Sequence, residues 1–222
     1  MTLNLLQKNK VLFTRRELLI GFAALIAILT RLIFPSDLAG EWLWLNLLLF
    51  LIFPAVVVKF LLKEKLENFG FSVGKFKLGA TISIIASVLF FFLNYCLITK
   101  SGMRNYFFIY PPIATSFITF LWFELIISGA VFFSREFFFR GFLQMGLEKR
   151  LGYCAIPLQS LIYALFFLKI SWLTVGTAFL SALIAGYITR VSRSVYYSFA
   201  FLWLVSVASD IILIKTILNS IK

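Results

Sequence analysis

The sequence predicts an all-α fold: a polytopic transmembrane helical bundle of about seven spans. Three observations predict it. Hydrophobic residues fill 62% of the 222 positions and charged residues only 14%, against roughly a quarter charged in soluble domains, and the mean hydropathy is +1.00. Apolar runs recur near Leu18–Phe34, Trp42–Leu62, Leu78–Ile98, Ile113–Phe133, Cys154–Leu168, Trp172–Thr189 and Val195–Ile214. Most are long enough to cross a hydrocarbon core of ~30 Å, which takes about 20 helical residues. None of the runs shows the ten-residue alternation of a transmembrane barrel, so helices must satisfy the backbone groups in lipid.

Taken in order, the first run follows Lys8, Lys10, Arg15 and Arg16. It reads as a span rather than a cleaved signal peptide, because no small-residue cleavage site follows Phe34. The second run leads into Lys63–Lys75, which mixes charges with Phe69, Gly70, Phe71 and Gly74. Such a segment suits a short helix and turn at the cytoplasmic interface, where clustered lysines anchor to anionic lipid. The third carries Asn94, a residue type that ties helices together, and Thr99–Pro112 reads as an outer loop with an interfacial aromatic belt. The fourth and fifth runs flank a charged segment around Glu136, the sixth is rich in small residues, and the seventh carries Asp210. With no repeat or second domain, the chain reads as one membrane domain, with N-terminal helices and an interfacial loop over 1–112 and a core over 113–222. Cys96 and Cys154 fall in or beside apolar runs, where a thiol is expected to act as a small buried hydrophobe.

A net charge of +12 would suggest nucleic acid in a soluble chain, but in a membrane protein the placement of Lys and Arg decides. Fifteen of the 21 fall on one side of the seven-span arrangement, in the N-terminal segment and at Lys59–Lys77, Arg135–Arg150 and Arg190–Arg193. The N-terminus is therefore expected in the cytoplasm. The partners implied are the lipid bilayer and no nucleic acid.

Charges inside spans cost roughly 2.5–3.5 kcal/mol at the bilayer centre on insertion scales, so each implies a buried partner or a polar cavity. Glu136 and Arg140 stand at i,i+4 and share a helix face in the favoured order. They are read either as a bridge pinning one helix or as the lining of a polar cavity, with Arg140 fixing Glu136. Glu124 lies three turns earlier with no sequence-local cation, and Asp210 sits near Ser206 and Ser209 in the last run.

Glu136-x-x-x-Arg140-Gly141-Phe142-Leu143-Gln144 resembles the first motif of the CPBP/Abi family of membrane-embedded proteases, which includes the CAAX prenyl endopeptidases. Gln159–Leu168 resembles its second motif, with Tyr163 at the family phenylalanine and Phe167 at the histidine. Ser181–Arg190 resembles its small-residue span, and Ser194–Tyr197 the entry to its last motif. The resemblance implies a zinc-dependent peptidase, yet this chain departs from the family at the reactive positions. Arg135 stands where the family has the glutamate assigned as base, Phe167 replaces a histidine, and the third motif is Leu202-x-x-x-Ser206 or Ser206-x-x-x-Asp210. The chain has no histidine. Metal-assisted hydrolysis needs about three N, O or S ligands and a base poised near neutral pH, so no metal or other cofactor is expected.

The leading expectation is a non-catalytic relative that binds a peptide, a prenylated or otherwise lipidated protein, or a membrane partner. A multi-pass protein of a prokaryotic plasma membrane is expected. Its residual motif is Glu136 and Arg140, with Asp210 in one register, and Glu124, Arg135, Tyr163, Phe167 and Ser206 line the binding region. One alternative is an active intramembrane endopeptidase using Glu136 with Asp210 or Glu124. Another is a transporter or channel relaying through Glu124, Asn94 and Asp210.

Overall fold

A computed structural model of the chain describes residues 14–34, 39–100, 116–168 and 170–221. The described residues are helical, with no strand among them. Most of the outer connection expected at Thr99–Pro112, the first residues of the run expected at Ile113, and Lys8, Lys10 and Lys169 lie outside them.

Helix α1 (Arg15–Ile33) starts in a capping arrangement, in which the Thr14 backbone N–H and hydroxyl both donate to the Glu17 carboxylate at 2.6 Å. The carboxylate thus satisfies a donor that the first turn leaves orphaned. Ile20, Ala23, Ala24 and Ala27 recur at helical spacing and are buried, while Leu18, Phe22, Leu25 and Leu29 face outward. Small residues on the inner stripe let α1 lie close to its neighbours.

Helix α2 (Ala39–Leu47) continues without a break through π-helical turns at Leu48–Ile52 and Val57–Leu61 and through α3 (Phe53–Val56). A 3₁₀ turn at Leu66–Phe69 then leads to α4 (Phe76–Lys100). Helices α5 (Phe117–Trp122), α6 (Gly129–Glu136) and α7 (Gly146–Leu151) form a second continuous run through π-helical turns at Phe123–Ser128 and Phe137–Met145. The chain reverses at Gly152, whose φ of +58° suits glycine. Helix α8 (Ala155–Leu165) therefore folds back on the preceding run, bringing the Tyr163 ring 5.2 Å from that of Phe139. Helices α9 (Trp172–Ser192) and α10 (Val195–Ile221) complete the bundle.

Five described stretches are long and apolar enough to cross a membrane: Gly40–Leu61, Phe76–Thr99, Phe117–Leu165, Trp172–Ser192 and Val195–Thr216. Seven runs were expected, and the difference has two sources. Helix α1 carries Arg16, Glu17 and Arg31 within its length. The fourth and fifth runs fall in the single helical stretch 117–165, and beyond the reversal α8 has only 11 residues, about 16 Å of rise.

The bundle closes at one end around charged residues. The Arg16 side chain donates to the Gly146 carbonyl and, at 2.6 Å, to the Glu64 carboxylate. Glu148 accepts from Arg193 at 2.7 Å and lies 3.2 Å from Arg190. The segment between α3 and α4 is drawn into this end: the Val195 N–H donates to the Gly70 carbonyl, the Lys75 N–H to the Ser192 carbonyl, and the Tyr197 hydroxyl to the Val73 carbonyl. Its expected role as a surface helix and turn is thus only half of the picture, because Phe69 is fully buried among Ile20, Phe137, Phe138 and Phe142. One hydrophobic cluster joins α1, the α2–α3 run, residues 137–147 and α8–α9, and a second joins α4, α9 and α10. Both cysteines are exposed on the bundle surface, so neither acts as the buried thiol expected of it.

Candidate functional site

Helix α9 approaches its neighbours along Ala178, Ala182, Ala185 and Gly186, and this close packing sets the site's frame. A Cβ on Gly186 would fall 2.7 Å from the Gln144 side-chain oxygen and 2.8 Å from the Gln159 nitrogen. The Gln144 amide donates to the Gly186 carbonyl at 2.8 Å and that of Gln159 to the Ala182 carbonyl at 3.1 Å. These amides clamp α9 to residues 137–145 and to α8, a role the sequence reading missed. The only signal available was their presence in the two motif segments.

Above that clamp, Arg140 and Glu136 form an i,i+4 ion pair at 2.8 Å with side-chain exposures of 0% and 1%. Arg140 sits on the π-helical turn that begins immediately after Glu136; such turns recur at functional sites. The guanidinium lies 4.6 Å over the Tyr163 ring, and Phe167 packs against Tyr163 at 5.4 Å. Ser198 of α10 is within hydrogen-bonding reach of Glu136, while the Ser198 hydroxyl shares a 2.9 Å hydrogen bond with Thr189. Among the described residues no well-formed hydrogen bond reaches the Arg140 Nε or Nη2 or the Glu136 Oε2.

Arg135 reaches from the same helix toward α2 and Tyr163. Its Nε donates to the Asn46 Oδ1 at 3.0 Å, its guanidinium lies 5.5 Å over the Trp42 ring, and the Tyr163 hydroxyl is within its reach. Glu136, Arg140, Arg135, Tyr163 and Phe167 therefore do come together. Asn46, fully buried, is a further member that sequence reasoning did not single out.

Asp210 does not join them. It faces Glu124 across the α5–α6 run and α10, and Glu124 precedes Glu136 by 12 residues on one continuous helical run, about 18 Å. Glu124 is 2% exposed. Nearby, the Trp203 Nε1 donates to the Glu124 backbone carbonyl at 3.0 Å and the Asn94 amide to the Ser209 hydroxyl at 2.9 Å. Ser206 lies one helical turn from Asp210 and two turns beyond Ser198 on α10. The pairing of Glu136 with Asp210 or Glu124 expected of an active peptidase is thus not present; the two acids pair with each other instead.

The residues at Glu136 do not fit a catalytic zinc ion. Among the described residues no three of the His, Cys, Asp and Glu side chains converge. The one carboxylate at the site is engaged by Arg140, and the adjacent guanidinium of Arg135 opposes a cation. The arrangement can hold a helix, stack an aromatic ring or bind an anion, but it has no open metal position.

Residues 116–208 match the family described as type II CAAX prenyl endopeptidase Rce1-like. The matched segment takes in Glu124, Arg135, Glu136, Arg140, Tyr163, Phe167 and Ser206 and ends before Asp210. No curated protein and no solved structure matches the chain.

Proposed function

The chain is an Rce1-like membrane protein, matched over residues 116–208, and from that premise we propose that it is a non-catalytic member. It binds a peptide, a lipidated protein or a membrane partner through the bundle region around Glu136, Arg140, Tyr163 and Phe167. The observation that carries this reading is the buried pairing of Glu136 with Arg140 at 2.8 Å, with Arg135 as its sequence neighbour. A carboxylate already committed to a guanidinium is a poor general base, and among the described residues no group of three metal-ligating side chains forms around it. The charged end of the bundle, where Arg16, Arg190 and Arg193 meet, faces the cytoplasm in this reading, following the bias of Lys and Arg toward that side. The membrane is the plasma membrane of a prokaryote. Incubating purified protein with a prenylated CAAX peptide tests the proposal. No cleavage is expected, and cleavage that disappears in Glu136→Ala would overturn it.

A second reading, an intramembrane relay, is supported by the contact of Glu124 with Asp210 and the adjacent Asn94–Ser209 hydrogen bond. Proton flux into protein-containing liposomes, lost in Glu124→Gln, would favour it over the binding reading.

A further inference from the structure

Among the described residues, the polar cluster at Arg135 carries more positive than negative charge. Its side chains are Arg135, Arg140, Tyr163, Asn46 and Glu136, and the single carboxylate is taken by Arg140. Among the described residues Arg135 forms no ion pair; its partners are a neutral amide, a phenol and an indole face. A guanidinium in a low-dielectric surrounding costs several kcal/mol unless an anion compensates it. Arg140 is fully buried, and its Nε and Nη2 have no hydrogen-bond acceptor among the described residues, so donors remain on the cation behind Arg135.

The position of the cluster says where a compensating anion would come from. Arg135 packs on Trp42 and Asn46, which fall in the first two turns of α2, and lies close to Arg31, in the last turn of α1. It therefore sits within about 10 Å of the bundle end where α1 finishes and α2 begins. Tryptophan is enriched at headgroup depth, and Arg135, unlike Arg140, is partly exposed. Two guanidinium groups and a phenol approaching from α6, the following π-helical turn and α8 supply donors in more than one plane. That suits a tetrahedral oxyanion better than a planar carboxylate.

We propose that Arg135, backed by Arg140 and Tyr163, forms an oxyanion site for a phosphate group, supplied by the headgroup of an anionic phospholipid in the leaflet at the α1–α2 end. The inference rests on the reading that Glu136 is held by Arg140 rather than free for chemistry. It adds a ligand class to that reading: a phosphodiester whose acyl chains lie along the bundle surface while its oxygens reach the Arg135 fork. The basic residues at the opposite end attract anionic lipid diffusely through surface charge, whereas this site is partly enclosed and takes one molecule.

The test uses the full chain in neutral detergent, with phosphatidylglycerol, phosphatidylcholine and inorganic phosphate as separate probes, read by native mass spectrometry and by thermal unfolding. Phosphatidylglycerol should be retained at one tightly held copy and raise the melting temperature by ~5 °C at saturation, with phosphatidylcholine giving little. Arg135→Gln should lower retention of that copy at least ~10-fold, Arg135→Lys should lower it less, and Lys77→Gln at the opposite end should leave it unchanged. The unliganded melting temperature of Arg135→Gln, compared with that of Arg135→Lys, separates lost binding from lost folding. Equal retention of the two lipids, or undiminished retention by folded Arg135→Gln, would overturn the site. A full shift from inorganic phosphate alone would overturn the lipid as its source. Cleavage of a prenylated peptide would remove the preceding reading, while equal retention of both lipids would remove this inference alone.

Discussion

The backbone carbonyl of Phe69 occupies the space that a side chain on Gly141 would need: a Cβ there would lie 2.5 Å from that oxygen, with the Phe137 ring at 2.9 Å on another side. The segment between α3 and α4 thus seals the helix that carries Arg140, and it does so through backbone, which cannot swing aside as a flexible side chain can. Gly141→Ala is expected to cost ~1–3 kcal/mol, as overpacking of a filled core does. Gly176→Ala, in α9 where an added Cβ meets nothing within 4 Å, should be neutral or stabilise by less than ~1 kcal/mol through helix propensity. Unfolding midpoints of the two variants in one detergent make the comparison, and equal midpoints would mean that the segment is not seated against Gly141.

Glu136 and Arg140 should behave as a coupled pair. Removing one member of a buried ion pair leaves an uncompensated charge, so Glu136→Gln and Arg140→Met are each expected to destabilise by ~3–5 kcal/mol. The double variant should cost clearly less than the sum, with a coupling of ~1–3 kcal/mol. A double-mutant cycle on equilibrium unfolding measures it. Additive losses would show that the two side chains act through separate partners.

Acid should loosen the seal before it unfolds the bundle. The hydrogen bond from Arg16 holds the Glu64 carboxyl below its ordinary value of 4.5, so the folded protein takes up this proton less readily than the unfolded chain. The stabilisation is fully present above about pH 4.5 and is lost as pH falls through the lowered value. Hydrogen exchange of residues 63–75 should accelerate over that window in the wild type. In Glu64→Gln the exchange should be fast already at neutral pH, with no further step at low pH.

How far the sequence disclosed this arrangement depends on the range of the contacts. The i,i+4 spacing of Glu136 and Arg140 is local, and so the pair could be read directly from a helical periodicity. Tyr163 and Phe167 followed from motif order, and the small residues of α9 followed from composition. The contacts of Phe69 with Gly141, of Gln144 with Gly186 and of Glu124 with Asp210 join segments 42 to 86 residues apart. Nothing in a single sequence pairs such positions. The reversal at Gly152 was hidden for a different reason: α8 is apolar, yet it is shorter than a span and folds back on the helix before it. An apolar run reports what a segment avoids, which is water, and not the direction in which it travels.

The two buried glutamates of the α5–α6 run should respond in opposite ways to the same substitution. Glu136 has a cation at 2.8 Å, so its amide variant discards an attraction. Glu124 faces another acid, Asp210, and two carboxylates in contact in an apolar surrounding repel when both are charged. In Glu124→Gln the amide nitrogen can donate to Asp210 and replace a repulsion with a hydrogen bond worth ~1 kcal/mol. Glu124→Gln should therefore match the wild type or exceed it by up to ~1 kcal/mol at neutral pH, while Glu136→Gln falls by ~3 kcal/mol or more. Thermal unfolding of both variants in the same detergent is the measurement. A loss of more than ~2 kcal/mol for Glu124→Gln would mean that its carboxylate is held as an anion by a donor such as the Ser128 hydroxyl, which lies within its reach, and not set against Asp210 by repulsion.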